Sequence, residues 1–258
     1  MSKITQAFEN NKAFIAFITC GDPDLETTET AIRATVSGGA DLIELGIPFS
    51  DPTTEGPVIQ GANLRALKGG ITTDKIFAFV ENLRQDITVP MVFMTYSNVV
   101  FSYGAEAFLS ACSRLSIDGL LLPDLPFEEK EEFLPVCRKY GIDLISLIAP
   151  TSKDRIAKIA KEAEGFLYIV SSLGVTGVRN EIQTNLKAIV DIVRQNTSIP
   201  CAIGFGISTP KQARKMAELA DGVIVGSAIV KFLEQYGTSA PEYIRSYVKS
   251  MKDAMDVL

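Results

Sequence analysis

The chain has no histidine. Any proton transfer it performs must use Asp, Glu, Lys, Tyr or Cys, and histidine-based triads and metal sites are excluded. Two carboxylates stand out by position. Glu44 interrupts the apolar run Asp41-Leu-Ile-Glu44-Leu-Gly46, where alternation puts it on the face shared by Leu42 and Gly46. A carboxylate there either opens into a cleft or is buried at heavy cost, and a Glu salt-bridged at the rim is an equal reading. Glu55 lies in the segment Ile47–Pro57, which three prolines and Gly56 shape into a long loop. In the same loop, Asp51 and Ser50 could equally make local turn and cap hydrogen bonds. Two carboxylates near one mouth, Glu44 and Glu55, permit general acid and base work if their surroundings separate their pKa values. A third feature is Gly204-Phe-Gly206-Ile-Ser208, with Gly226-Ser227 further on. Both end apolar runs and precede helix N-termini, a setting that suits capture of a phosphate by backbone N–H groups.

Such residues need a scaffold that points them at one place. Eight short apolar runs recur: Phe14–Thr19, Leu42–Leu45, Met91–Met94, Gly119–Leu122, Leu144–Ile148, Phe166–Val170, Cys201–Gly204 and Gly222–Val225. They lack strict alternation, as strands buried on both faces do. Between them lie helical patterns at Thr28–Ser37, Thr73–Arg84, Ala105–Leu115, Glu129–Tyr140, Asp154–Ala163, Leu186–Arg194 and Pro210–Leu219, and Pro241–Met255 reads as a final helix. Eight such units in 258 residues predict an α/β fold, a single (β/α)8 TIM barrel over residues 1–258 with extra terminal helices. A doubly wound open sheet is the alternative, but it wants a glycine-rich turn after the first strand. Here the glycine-rich turns follow the last strands. In a barrel the site lies at the C-terminal strand ends, where Glu44, Gly206, Gly226 and Ser227 all fall.

Composition narrows the partners. A net charge of -6 argues against nucleic acid, yet leaves room for a small phosphorylated ligand held by backbone groups. No apolar stretch has membrane-spanning length, and no signal peptide is expected. The four cysteines, Cys20, Cys112, Cys137 and Cys201, show no metal-ligand spacing, so buried thiols in a reducing cytoplasm are expected. The residues alone thus describe a barrel acting on a phosphorylated small molecule through carboxylates.

The motif Glu44-Leu-Gly-Ile-Pro-Phe-Ser-Asp-Pro52, continuing to Gly56-Pro-Val-Ile-Gln60, closely resembles the signature of tryptophan synthase alpha subunits. The resemblance runs on through Phe17-Ile-Thr-Cys-Gly-Asp-Pro23, Tyr96-Ser-Asn98, Pro123-Asp-Leu-Pro126, Gly174-Val-Thr-Gly177, Gly204-Phe-Gly-Ile-Ser208 and Gly226-Ser-Ala-Ile-Val230. It implies a lyase that splits indole-3-glycerol phosphate into indole and glyceraldehyde 3-phosphate by retro-aldol cleavage. By that resemblance Glu44 is the acid–base group and Glu55 the partner of the indole N–H. Phe17, Leu121 and Ile148 would flank the indole. Tyr96 and Tyr168 would lie near the reacting end, and Thr176 would close over the substrate. Gly177, Gly206, Gly226 and Ser227 would cradle the phosphate. Asp51 and Pro52 would face a pyridoxal-phosphate-dependent beta subunit in an α2β2 assembly. The resemblance implies no cofactor or metal for this chain. Two positions depart from the family pattern: Glu55 stands where an Asp is usual, and Ser172 where an Arg is frequent.

Two other functions fit the same residues. One is a different phosphate-binding barrel enzyme, although the metal-binding histidines of an epimerase are absent and no Lys ends a strand. The other is a regulatory subunit that binds a phosphorylated ligand with weak or no lyase activity. Turnover by the isolated chain separates it from the lyase.

Overall fold

In the computed structural model, residues 3–9, 11–171 and 181–256 are described, with 181–185 described by backbone alone. The strands are β1 (Ala13–Thr19), β2 (Leu42–Gly46), β3 (Met91–Met94), β4 (Gly119–Leu121), β5 (Asp143–Ile148), β6 (Leu167–Val170), β7 (Cys201–Gly204) and β8 (Gly222–Val225). Each pairs in parallel with the next, and β8 returns to β1 through the register Ala13↔Gly222 to Ala16↔Val225. That closure rules out the open sheet.

The helices are α1 (Lys3–Gln6), α2 (Leu25–Ser37), α3 (Pro57–Lys68), α4 (Thr73–Leu83), α5 (Ser97–Tyr103), α6 (Ala105–Arg114), α7 (Leu134–Tyr140), α8 (Lys153–Lys161), α9 (Glu181–Asn196), α10 (Pro210–Leu219), α11 (Ser227–Tyr236) and α12 (Ala240–Met255). The continuous helix expected over Glu129–Tyr140 is instead a 3-10 turn, Phe127–Glu132, followed by α7. Pro135 has no N–H to donate and is tolerated only in a first turn, so the α-helix starts there rather than running through.

Alternation along the strands makes two apolar layers. Ile15, Leu42, Val92, Leu121, Ile145, Tyr168, Ala202 and Ile224 fill the barrel, joined by Phe166 beside β6. Ile4 of α1, with Ala7 and Phe8, packs into this inner cluster. Residues of opposite phase, such as Phe14, Ile43, Phe93, Leu120, Ile169 and Ile203, face the helices in a larger outer core. The packed interior makes the barrel a rigid frame, and side chains near the C-terminal strand ends are the ones left to face a ligand.

Candidate active site

β2 carries Glu44 one alternation step beyond inward-facing Leu42, opposite Phe17 of β1 and Val92 of β3. Glu44 is 2 % exposed, and its Oε2 has no hydrogen-bond partner. Burial, reinforced by the nearby charge of Glu55, pushes its pKa up to about 8. The carboxyl is therefore protonated at neutral pH and can still give that proton up.

Glu55 sits on the loop between β2 and α3. Partial burial raises its pKa to about 7, and a hydrogen bond from Asn63 Nδ2 to its Oε2, at 2.6 Å, works the other way. The two carboxylates that the sequence singles out thus share one mouth, and both titrate well above the usual carboxylate range. The loop around Glu55 is tied down. Thr54 N donates to the Tyr96 hydroxyl at 3.2 Å, and the Thr54 and Tyr96 hydroxyls are 2.9 Å apart. Gln60 Nε2 donates to the Glu55 carbonyl at 2.8 Å. Tyr96 is buried and stacks on Phe49, with ring centroids 5.0 Å apart.

Phe17 stands at the mouth among Ala62, Val230, Val58, Ile59 and Met94, so α3 and α11 fold over it. Gly46 of β2 and Gly226, just past the end of β8, make room for its ring. A Cβ at Gly46 would lie 2.6 Å from Phe17 Cζ, and one at Gly226 would lie 3.3 Å from Phe17 Cβ. Leu121 is buried on the inner face. Ile148 ends β5. It is fully buried in the helix-facing core, and the alternation of β5 gives Leu147 to the inner cluster instead. Tyr168 faces inward, and burial together with the charge of Glu44 raises its pKa well above the usual phenol value. Its hydroxyl reaches over Gly204, where a Cβ would come within 2.5 Å.

The glycine-rich ends of β7 and β8 differ. Gly206 has φ +73° with open space where a Cβ would point. The N-terminus of α10 is closed by its own sequence, since Thr209 and Gln212 form a reciprocal capping box. The N-terminus of α11 has no side-chain cap, and Gly226 and Ser227 open it. It is the one of these two helix ends whose N–H groups a ligand could take.

Asp51 is exposed and accepts a hydrogen bond from Ser50 at 2.5 Å, while Pro52 is half-buried on the same loop. Thr176 and Gly177 lie outside the described residues, as does Ser172. All four cysteines are free and buried, and burial raises the thiol pKa of Cys20 to about 12. Among the described residues no cluster of His, Cys, Asp or Glu is placed to hold a metal, and no helix is long and apolar enough to cross a membrane.

The sequence reading missed Asn63 and Thr54. A signal for Asn63 was present: it lies three or four positions from Ile59 and Ala66, which puts a polar residue on the inward side of α3. Thr54 had no such signal, because its partner is 42 positions away.

Comparison with known proteins points to one family. A model of the tryptophan synthase alpha chain family matches residues 4–256. The tryptophan synthase alpha chain of Lacticaseibacillus casei is 52% identical over 256 residues, covering 99% of this chain and 96% of that one. The corresponding chain of Lactiplantibacillus plantarum is 49% identical, covering 99% and 97%. Among solved structures, the tryptophan synthase subunit alpha of Legionella pneumophila superposes with a TM-score of 0.90 at 36% identity, with 100% of each chain covered. A Mycobacterium tuberculosis tryptophan synthase chain gives a TM-score of 0.90 at 33% identity, covering 99% of this chain and 98% of that one. With the barrel, the paired carboxylates and the uncapped helix end already in place, these matches show that the chain belongs to the tryptophan synthase alpha chain family.

Proposed function

We propose that the chain cleaves the carbon–carbon bond of indole-3-glycerol phosphate, releasing indole and glyceraldehyde 3-phosphate, within the lyase role in tryptophan synthesis that its family carries. The observation that bears most weight is the pair of carboxylates. Glu44 is buried with an unpartnered oxygen and a pKa near 8, and Glu55 lies beside it with a pKa near 7. Between those values the pair holds one proton. Because the charge of Glu55 opposes ionisation of Glu44, that proton resides on Glu44.

The reaction follows from this state. Glu44 delivers its proton to C3 of the indole ring, and positive charge develops at the ring nitrogen. The Glu55 carboxylate accepts the ring N–H and stabilises that charge. Glu44, now ionised, takes the proton of the C3′ hydroxyl. The O–H electrons form the aldehyde, and the C3–C3′ pair returns to the ring as neutral indole. Glu44 ends as it began, protonated.

Phe17 and Leu121 form apolar walls for the ring. Tyr168 lies beside Glu44, and Tyr96 holds the Glu55 loop. The N–H groups at Gly206, Gly226 and Ser227 meet the phosphate, with Gly177 and Thr176 completing the site by resemblance alone. Asp51 and Pro52 face the beta subunit, which receives the indole in an α2β2 assembly, in the cytoplasm.

The test is indole release from indole-3-glycerol phosphate, with and without a beta subunit, for wild type, Glu44→Gln and Glu55→Ala. The chain has no Trp, so indole fluorescence is read on a low background. Turnover by wild type, with a fall of at least about 100-fold in each variant while inorganic phosphate still binds, is the expected result. A wild type that binds phosphate yet stays silent with its partner would make the chain a regulatory subunit instead.

A further inference from the structure

Glu55 reaches one bond further than the Asp usual at its position, and that extra torsion must be held if the carboxylate is to meet a ring N–H. The structure fixes both ends of the side chain. At its base, the preceding residue Thr54 is held by Tyr96 through its N–H and Oγ1, and the Glu55 carbonyl is held by Gln60. At its tip, Asn63 donates to Oε2 at 2.6 Å. Asn63 is 3 % exposed and rides on α3, the helix that also packs Val58, Ile59 and Ala62 against Phe17.

We propose that Asn63 is a positioning residue for Glu55: it retains Oε2 so that Oε1 is presented to the substrate N–H, while the Thr54–Tyr96 hydroxyl pair anchors the loop from the other side. This rests on the role given to Glu55 above. Four features support it. The donor is an amide, which keeps its two N–H groups at every working pH. The acceptor is a carboxylate, so the bond is charge-assisted and directional. The element carrying Asn63 is the one that sets the ring wall, so wall and acceptor move as a unit. Thr54 on one side of Glu55 and Gln60 on the other hold the loop, which fits a long acid fixed at its base.

A purely structural Asn63 would affect folding alone. A positioning Asn63 also sets the titration of Glu55. The titratable groups around Glu55 are Glu44 from β2 and Tyr96 from the segment after β3, with Asp124 acting on Tyr96. The Asn63 bond favours the ionised form of Glu55. Losing it moves the acid limb of kcat/KM to higher pH.

The experiment measures kcat/KM against pH for indole release, with the beta subunit present, in wild type, Asn63→Ala, Asn63→Ser, Glu55→Ala and Asn63→Ala/Glu55→Ala. Thermal melts accompany each variant. Asn63→Ala is expected to lower kcat about 10- to 100-fold and raise the acid limb, as a displaced group in a preorganised site does. Asn63→Ser keeps a shorter-reaching donor and should fall between; it carries the test if the Ala variant does not fold. In the Glu55→Ala background the Asn63 substitution should change kcat less than about 2-fold, since residues acting as a unit are not additive. Additive losses, or an unmoved acid limb, would overturn the proposal. If Glu55→Ala alone leaves turnover intact, the failure belongs to the Glu55 role and not to Asn63.

Discussion

At the scale of single residues, Glu44 combines cost and use. An unpartnered buried carboxyl destabilises the fold, and the same burial keeps a proton available near neutral pH. The linkage has a definite sign. The folded chain retains the Glu44 proton up to about pH 8, whereas the unfolded chain loses it near 4.5. The folded state therefore binds more protons across that window, and stability falls as pH rises through it. Glu44→Gln cannot titrate. Its melting temperature, measured against wild type, should improve steadily from about pH 4.5 to about pH 8, at up to roughly 1.4 kcal/mol per pKa unit of the shift. Over the same range its turnover should be lower by at least about 100-fold. A constant melting difference would mean that Glu44 is not held protonated. Activity has its own window, because Glu55 must be ionised and Glu44 protonated. For wild type kcat/KM should be bell-shaped, with limbs near pH 7 and pH 8. In Glu55→Gln, whose carbonyl still accepts an N–H, the acid limb should vanish while reduced turnover remains.

At the scale of elements, glycines in or just past neighbouring strands decide where an aromatic side chain can stand. β1 lies between β2 and β8, and Gly46 of β2 and Gly226 just past β8 both lie against Phe17. Gly46→Ala puts a Cβ 2.6 Å from the ring, which must shift or tilt into the mouth. We expect a loss of about 1–3 kcal/mol in denaturant unfolding together with a raised KM. Unchanged KM would show that the ring does not line the substrate site. Elements are also where the sequence was most readable. All eight strands were visible as apolar runs because strands buried on both faces need no polar alternation, and β3, β7 and β8 carry the expected bounds. The phase of a strand was harder to read. Ile148 and Leu147 are both apolar, so composition cannot tell which faces the barrel, and pairing with β6 decides it. α7 showed the opposite limit, where Pro135 alone was enough to break the expected helix. Glu44 was legible because a carboxylate in an apolar strand is anomalous. Its pairing with Glu55 was legible as two carboxylates near one mouth, but the Asn63 bond was not, since it depends on where a loop and a helix come to rest in space.

At the scale of the whole molecule, stability and chemistry are concentrated at opposite ends of the barrel, as the fold predicts. The C-terminal helix α12 packs along α2, where a Cβ at Gly38 would come within 2.9 Å of the Arg245 carbonyl. Its latch is Lys252, 8 % exposed, which donates to Asp41 Oδ2 and to the Lys12 carbonyl at 2.7 Å each. Asp41 also accepts from Phe14 N at 2.7 Å. Lys12 and Asp41 precede the first residues of β1 and β2, so the latch sits at the N-terminal strand ends, away from Glu44 and the mouth. Lys252→Met keeps the apolar stem and removes the charge, leaving a largely buried Asp41 with one partner fewer. Because part of Asp41 still reaches solvent, we expect a loss of about 1–3 kcal/mol, less than for a fully buried pair. Adding Asp41→Asn removes the stranded charge and should restore part of that loss. In both variants, kcat and KM measured well below the melting temperature should stay within about 2-fold of wild type. A large fall in kcat with the fold intact would mean that strain passes along the strands from latch to mouth, and the separation of the two ends would fail.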